Sequence, residues 1–374
     1  MKKIPIAIYR GGTSRAIFFH EQDLPARVEE QDRIILQAIG SGHSLQVDGL
    51  GGGNPLTSKC AIIGPPGVPG ADVNYTFVYP GVIRKIADRN GNCGNISSAV
   101  GPFCVNAGLI AATGEQTSVL IYNTNTRALL RATFATRKGR FYPKGDYRID
   151  GVPGSGSRIA LEFLSQPELP LLPTGQVREK LDVPGVSREL EVSILQAGNL
   201  AVFCSMAALG VKGDPAQWEE DAGLWQKMEA VRGAAAVRLG IAETPEAARL
   251  KTPAIPKVLA VRRPQPYNDM PGRQQSGESH QFMVLTAAMG VMHRSIAVTG
   301  SVAAAAAAVL PGSVVADLRS GEGPEVVIGH PSGQIALTAE IEEKDGKWLA
   351  RKIALNRTAR EILEGFVFID EAEE

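Results

Sequence analysis

Two side chains in the first half of the chain could move a proton. Cys93 stands in Gly91-Asn92-Cys93-Gly94-Asn95-Ile96-Ser97-Ser98. Glycine and asparagine suit a tight turn there, because both tolerate positive φ. After Asn95 the residues turn small and helical. Cys93 therefore belongs just ahead of a helix, among N–H groups that a first turn leaves unpaired. Such a place favours thiolate over thiol and welcomes an anion. The plain alternative is a small buried cysteine at a turn. Lys59 follows Gly51-Gly52-Gly53-Asn54-Pro55 and leads into the apolar run Cys60-Ala61-Ile62-Ile63. At the mouth of a core strand, partial burial lowers a lysine's pKa and makes it a usable base. A solvated surface lysine is the ordinary alternative. A third stretch, Arg10-Gly11-Gly12-Thr13-Ser14-Arg15, sets exposed amides and two hydroxyls between apolar strands. It reads as a carboxylate cradle or simply as a hairpin turn. It lacks the G-x-x-x-x-G-K-S/T spacing of a nucleotide loop.

The elements that must position these residues follow from the apolar pattern. Ile4, Ile6 and Ile8 alternate as a first strand, and residues 16–19 form a second. Residues 29–39 read as an amphipathic helix with Ile34, Ile35, Ala38 and Ile39 inward. Tyr75, Phe77 and Tyr79 alternate in a strand that leads to the cysteine turn, and Pro102 predicts a kink in the helix beyond it. Residues 167–173, with three prolines, read as a linker. The pattern then restarts, with strands at 190–194 and 199–203. Asp214-Pro215 starts a helix whose face is marked by Trp218, Ala222, Trp225, Met228, Ala235 and Leu239, the tryptophans as core. A strand at 253–261, a polar loop at 263–279 and a short helix at 283–289 follow. Val298-Thr299-Gly300-Ser301-Val302 then opens a run of six alanines, residues 303–308. Alanine is the best helix former, but a helix without long side chains is buried only where neighbours crowd it. The order strand, Thr-Gly-Ser, small-residue helix thus repeats the earlier order strand, Cys-Gly-Asn, small-residue helix. The expected architecture is α+β: two similar domains, 1–185 and 186–374, each with a barrel-like, mostly antiparallel sheet wrapped around a central helix. The two helix N-termini, near Asn95 and Ser301, are expected to face one cleft, and the final strand is free to return to the first domain.

The chain has 374 residues, 44% of them hydrophobic and 21% charged, and its 39 basic and 39 acidic side chains cancel. That balance gives no reason to expect nucleic acid or an anionic membrane as partner. The longest apolar run, 302–310, is too short to span a bilayer, and the apolar N-terminal stretch ends at Arg10, too short for a secretory signal. Cys60, Cys93, Cys104 and Cys204 form no C-x-x-C pair, which fits a reducing cytoplasm. The five histidines are scattered, so no metal site is expected.

Taken together, these stretches resemble the PrpF family of 2-methylaconitate isomerases, methylitaconate Δ-isomerases and 4-oxalomesaconate tautomerases. The anchors are Arg10 to Ser14, Asp48-Gly49 with Leu56-Thr57-Ser58-Lys59, Gly91 to Ser97, Asp150-Gly151-Val152-Pro153-Gly154, Val298-Thr299-Gly300 and Arg357-Thr358-Ala359-Arg360. The resemblance implies the diaminopimelate epimerase fold and no metal or organic cofactor. It implies an allylic 1,3-proton shift in a small unsaturated polycarboxylate, with room for a homodimer. It maps the catalytic pair onto Lys59 and Cys93. Thr13, Ser14, Asn54, Asn95, Ser97 and Thr299 are then the expected substrate-binding side chains. The amides of Gly94, Asn95, Gly300 and Ser301 are the expected oxyanion donors. The chain departs from the family pattern at Arg15-Ala16 and at Leu200. A two-base amino-acid racemase and a non-catalytic carboxylate-binding homologue are the competing readings.

Overall fold

The structure, a computed structural model, describes residues 1–164, 170–288 and 290–370. The chain divides into two compact units, Met1–Leu161 with Asn356–Glu374, and Glu162–Leu355. The break falls after Leu161, ahead of the expected 185/186. The reason is the antiparallel pairing of Glu179–Val183 with Ser187–Ala197, which ties residues before 185 into the second unit. The final strand, Ala359–Ile369, pairs antiparallel with Lys2–Gly11 and so belongs to the first. Residues 167–169 of the proline-rich stretch at 167–173 lie outside the described residues.

Each unit is built to one plan, visible in the pairing sense of its strands. In the first, Lys2–Gly11 and Ser14–His20 form a hairpin. Ser14–His20 runs parallel to Cys60–Gly64, which is antiparallel to Val73–Pro80. That strand is parallel to Gln116–Asn123, which is antiparallel to Ala128–Arg137. In the second unit the hairpin is Ser187–Ala197 with Asn199–Ser205. Lys257–Arg262 follows in parallel, Phe282–Ala288 antiparallel, Glu325–His330 parallel and Gly333–Lys344 antiparallel. A helix fills the parallel crossover from the second to the third of these later strands in both units, from Val73–Pro80 to Gln116–Asn123 and from Phe282–Ala288 to Glu325–His330. Gly94–Asn106 does so in the first and Val298–Val309 in the second.

Both crossover helices are buried, as their small residues require. Gly94 through Val105 are all buried, and so are Val298 through Ala308. Gly94–Asn106 packs against Lys2–Gly11, Ser14–His20 and Ala359–Ile369 at one end of the strand order and against Gln116–Asn123 and Ala128–Arg137 at the other. A sheet whose two ends touch one helix must curl around it. Close packing sets the sequence here. A Cβ at Gly101 would meet the Phe134 ring, and one at Gly11 would collide with the Asn95 carbonyl. On the sheet's other face Ile34, Ile35, Ala38 and Ile39 of Val28–Ile39 join Ile4, Ile6, Ile17 and Phe19 in a second core. Each apolar side chain so buried contributes about 1.5–3 kcal/mol.

Several elements differ from expectation. The stretch at 283–289 is a strand, Phe282–Ala288, not a helix; Met289 lies outside the described residues. Its run is apolar at consecutive positions because both faces are covered, which hides the strand period. The helix expected from Trp218 to Leu239 is two helices, Pro215–Glu220 and Ala222–Arg238. Asp221 separates them, its Oδ1 accepting from Leu224 N at 2.9 Å. Trp218 is core as expected, while Trp225 is half-buried. The polar loop at 263–279 contains a short hairpin, Tyr267–Asn268 with Gln274–Gln275. Gly94–Asn106 continues through Pro102 without a break. Among the described residues no helix is long and apolar enough to cross a membrane.

Candidate active site

The hairpin turn Gly12-Thr13 rests on the first turn of Gly94–Asn106. Gly12 has φ 51°, and a Cβ there would collide with Asn95 Oδ1. Only glycine meets both demands. Arg10 holds the turn's shape: its Nη1 donates to Gly12 O at 2.9 Å and to Thr358 O at 3.0 Å. Thr13 N donates to Asn95 Oδ1 at 3.4 Å, and Asn95 Nδ2 donates to Thr13 Oγ1 at 3.0 Å. The hairpin is thereby clasped to the helix start.

Parallel pairing of Ser14–His20 with Cys60–Gly64 sets Lys59 beside Ser14, through Ile17 N donating to Lys59 O at 3.0 Å. Lys59 Nζ donates to Ser14 Oγ at 2.8 Å and to Cys93 Sγ at 3.3 Å. The three residues are 5%, 2% and 8% exposed, which shields the pair from bulk water without sealing it. The Lys59 ammonium also lies 5.6 Å from the centre of the Tyr79 ring.

Cys93 is the N-cap of the helix, at φ −115° and ψ 97°, and no side chain caps that end. The first helical bond runs from Ser97 N to Cys93 O at 2.9 Å. The amides of Gly94, Asn95 and Ile96 are therefore left without acceptors inside the helix. With the positive end of the helix dipole, they can stabilise negative charge on Cys93 or on a bound anion. Ser97 Oγ donates to Cys93 O at 3.1 Å and to Asn92 Oδ1 at 3.3 Å, so it holds the turn. Behind it, burial pushes the Tyr75 and Tyr79 hydroxyls well above their ordinary pKa, and the charge of Cys93 adds to the effect. Both phenols stay neutral near pH 7. The other thiols are set apart by burial, which raises Cys60 and Cys104 strongly and Cys204 to about 12.

Ser14, Lys59 and Cys93 are thus in direct contact, with Thr13 and Asn95 on the same turn. Asn54 is placed differently. It is exposed, donates to Gly52 O at 3.1 Å and accepts from Leu56 N at 2.9 Å, closing its own loop. In the second unit, Val298–Val309 begins ahead of Ser301, with Ala297 as N-cap. Ser301 N accordingly donates to Ala297 O at 2.9 Å within the helix. Of the two amides expected there as oxyanion donors, only that of Gly300 lies in the part of the first turn free of intrahelical bonds. Ser301 Oγ donates to Val298 O at 2.8 Å, and Thr299 Oγ1 accepts from Asn199 Nδ2 at 3.4 Å.

Reading the sequence placed Arg10 beside this turn without giving it a role, and missed Tyr79 and Arg357 as its neighbours. Tyr79 stood out only for strand alternation. Arg357 is buried, and its Cδ lies 3.2 Å from the point a Gly12 Cβ would occupy. Its Nη1 donates to Asn356 O at 3.1 Å, and its Nε has no partner. Burial lowers its pKa to about 10, with Tyr147 opposing. Among the described residues no group of three or more His, Cys, Asp or Glu side chains could hold a metal ion.

The sequence profile of the PrpF protein family matches residues 1–370. The chain is 38% identical to a 3-methylitaconate isomerase of Eubacterium barkeri, over 99% of this chain and 98% of that one. It is 31% identical to a 2-methyl-aconitate isomerase of Cupriavidus necator, over 98% and 96%. To a (4E)-oxalomesaconate Delta-isomerase of Novosphingobium sp. (strain KA1) it is 32% identical, over 99% and 98%. The crystal structure of a methylitaconate-delta-isomerase superposes with TM-score 0.76 at 37% identity, over 98% of this chain and 96% of that one. A hydroxyproline epimerase from Agrobacterium vitis superposes at TM-score 0.60 and 13% identity, over 99% and 93%, a likeness of fold alone. The epimerase-like fold of two similar halves is therefore the fold of this chain, and the chain belongs to the PrpF family.

Proposed function

We propose that the protein is an isomerase that shifts a double bond in a small unsaturated di- or tricarboxylate, such as methylitaconate, 2-methylaconitate or 4-oxalomesaconate. The observation that carries this reading is Lys59 Nζ held between Ser14 Oγ and Cys93 Sγ at the open end of a buried helix. An allylic shift breaks a C–H bond beside a carboxylate or ketone, moves the double bond, and forms a C–H bond at the far end of the allyl unit. A site for it needs a base, an acid and donors for the dienolate. Lys59 and Cys93 are the proton-transfer pair. Ser14 fixes the ammonium, and the Gly94, Asn95 and Ile96 amides face developing negative charge. Each well-aimed donor of this kind contributes about 3–4 kcal/mol in the transition state. Thr13 and Asn95 serve substrate oxygens from the same turn. A racemase would need a second thiol at the other helix start. The second half has only Cys204, buried in a strand. We place the protein in the cytoplasm, where its four unpaired cysteines stay reduced.

Proton NMR in deuterium oxide tests the reading. Incubation with methylitaconate, 2-methylaconitate, 4-oxalomesaconate and the aconitates should convert at least one, with deuterium entering an allylic carbon. Exchange at the α-carbon of an amino acid, with no change in any of these acids, would point to the racemase instead.

A further inference from the structure

Arg10, Lys59 and Arg357 all reach the one hairpin turn at Gly12 to Ser14, and none of them has a carboxylate partner among the described residues. Arg10 and Lys59 are accounted for: the first ties the turn to Thr358, the second is half of the proton-transfer pair. Arg357 is not. Its guanidinium offers five donors in a rigid fork, yet Nε is unpartnered and Nη1 reaches only the adjacent carbonyl of Asn356. It is 6% exposed. A buried, unpaired guanidinium is costly unless something anionic belongs beside it. Its stem lies against the turn at Gly12. The stem of Arg357 and the amide of Asn95 approach the same point, the one a Gly12 side chain would fill. The Asn95 amide in turn belongs to the helix start that Cys93 caps.

We propose that Arg357 binds the substrate carboxylate that takes no part in the dienolate, and so selects di- and tricarboxylates over monocarboxylates. This rests on the isomerase reading above. A fork-to-fork pair supplies both charge and direction, and it fixes the allylic carbon against Lys59 and Cys93 without changing their chemistry. The residue is a binding residue, and its removal should act on KM.

The test uses the full chain with methylitaconate and the monoamide in which the carboxylate on the alkene carbon, the one outside the dienolate, is a carboxamide. Turnover is read by NMR, and binding by protection of Cys93 from iodoacetamide. The wild type should bind the diacid about 30-fold or more tighter than the amide, as expected for losing a charge-assisted pair. Arg357→Gln should raise KM for the diacid by a similar factor, leave kcat within a few-fold, and bind diacid and amide alike. Arg357→Lys keeps the charge without the fork and should fall between; it decides the matter if Arg357→Gln does not fold. Unchanged KM in either variant, or full discrimination persisting in Arg357→Gln, overturns the proposal. A wild type that isomerises none of the acids, yet is protected by the diacid and not the amide, would sink the isomerase reading and leave the carboxylate site standing. Turnover with no preference for the diacid would do the reverse.

Discussion

At the scale of the residue, the proposed chemistry rests on one short contact, Lys59 Nζ to Cys93 Sγ at 3.3 Å. Lys59→Arg preserves charge, but a guanidinium gives up no proton near neutral pH. Turnover should fall by about 10²–10⁴-fold, the usual contribution of positioned acid–base catalysis. Cys93→Ser replaces a thiol by a far weaker acid and should lose a comparable factor while keeping ligand binding. Wild-type rates in either variant, measured on the best substrate, would show that another pair moves the proton. The same geometry predicts the order of thiol reactivity. Cys60, Cys104 and Cys204 are fully buried and held as thiols by that burial. Iodoacetamide at pH 8 should therefore modify Cys93 alone in the native protein and all four thiols after unfolding, as peptide mass spectrometry would record. Lys59 and Cys93 were legible in the sequence because each is marked by its own neighbours, a glycine loop entering a strand and a turn entering a helix. Arg357 stands in one of the motifs that carry the family resemblance, but nothing around it in the sequence marks a site role. What singles it out is its approach to Gly12, nearly the whole chain away, and only the folded chain creates that.

At the scale of the element, the site depends on how closely a hairpin can lie on a helix. Gly12→Ala meets two obstacles at once, a left-handed φ of 51° and a Cβ driven into the Asn95 carboxamide. Strain at such φ and forced overpacking each cost about 1–3 kcal/mol, so denaturant melts should show a loss of about 2–6 kcal/mol. The Thr13–Asn95 clasp should break with it, and kcat should fall. A variant as stable and active as the parent would mean that the turn does not position the helix start. The two buried helices were readable because a run of glycine, serine and alanine has no other stable place. Their exact starts were not. Ala297 offers no side chain to a cap, so nothing in the sequence marks the beginning at Val298. That displacement is why Ser301 N is inside the helix rather than facing a ligand. The strand at Phe282–Ala288 was misread for a related reason, since burial on both faces erases the alternation that identifies a strand.

At the scale of the whole molecule, the repeated strand plan gives each unit its own buried core. The second contains a histidine with no function in the proposed chemistry. His280 is 2% exposed and stacks edge-on against Tyr267 at 5.5 Å between ring centres. Its Nδ1 lies 3.1 Å from Ser276 O, while its Nε2 is buried without a partner. Burial lowers its pKa, with Arg262 adding to the effect and the Ser276 carbonyl opposing it. Lowering means that the folded state resists the proton more than the unfolded chain does. Between the folded pKa and the ordinary value of about 6.5 the unfolded chain binds more protons. The stabilising contribution is then complete above about 6.5 and is lost as pH falls through that window. Urea midpoints at pH 7.5 and pH 5.5 should therefore drop for the wild type. Carboxylates elsewhere contribute to any acid loss, so the comparison that isolates His280 is with His280→Gln, which cannot take up a proton. The variant should start less stable at pH 7.5 and lose less on acidification. Equal losses in the two proteins would mean that the ring gains a proton in the folded core at no cost, through water or movement of Gly329, whose backbone packs against it.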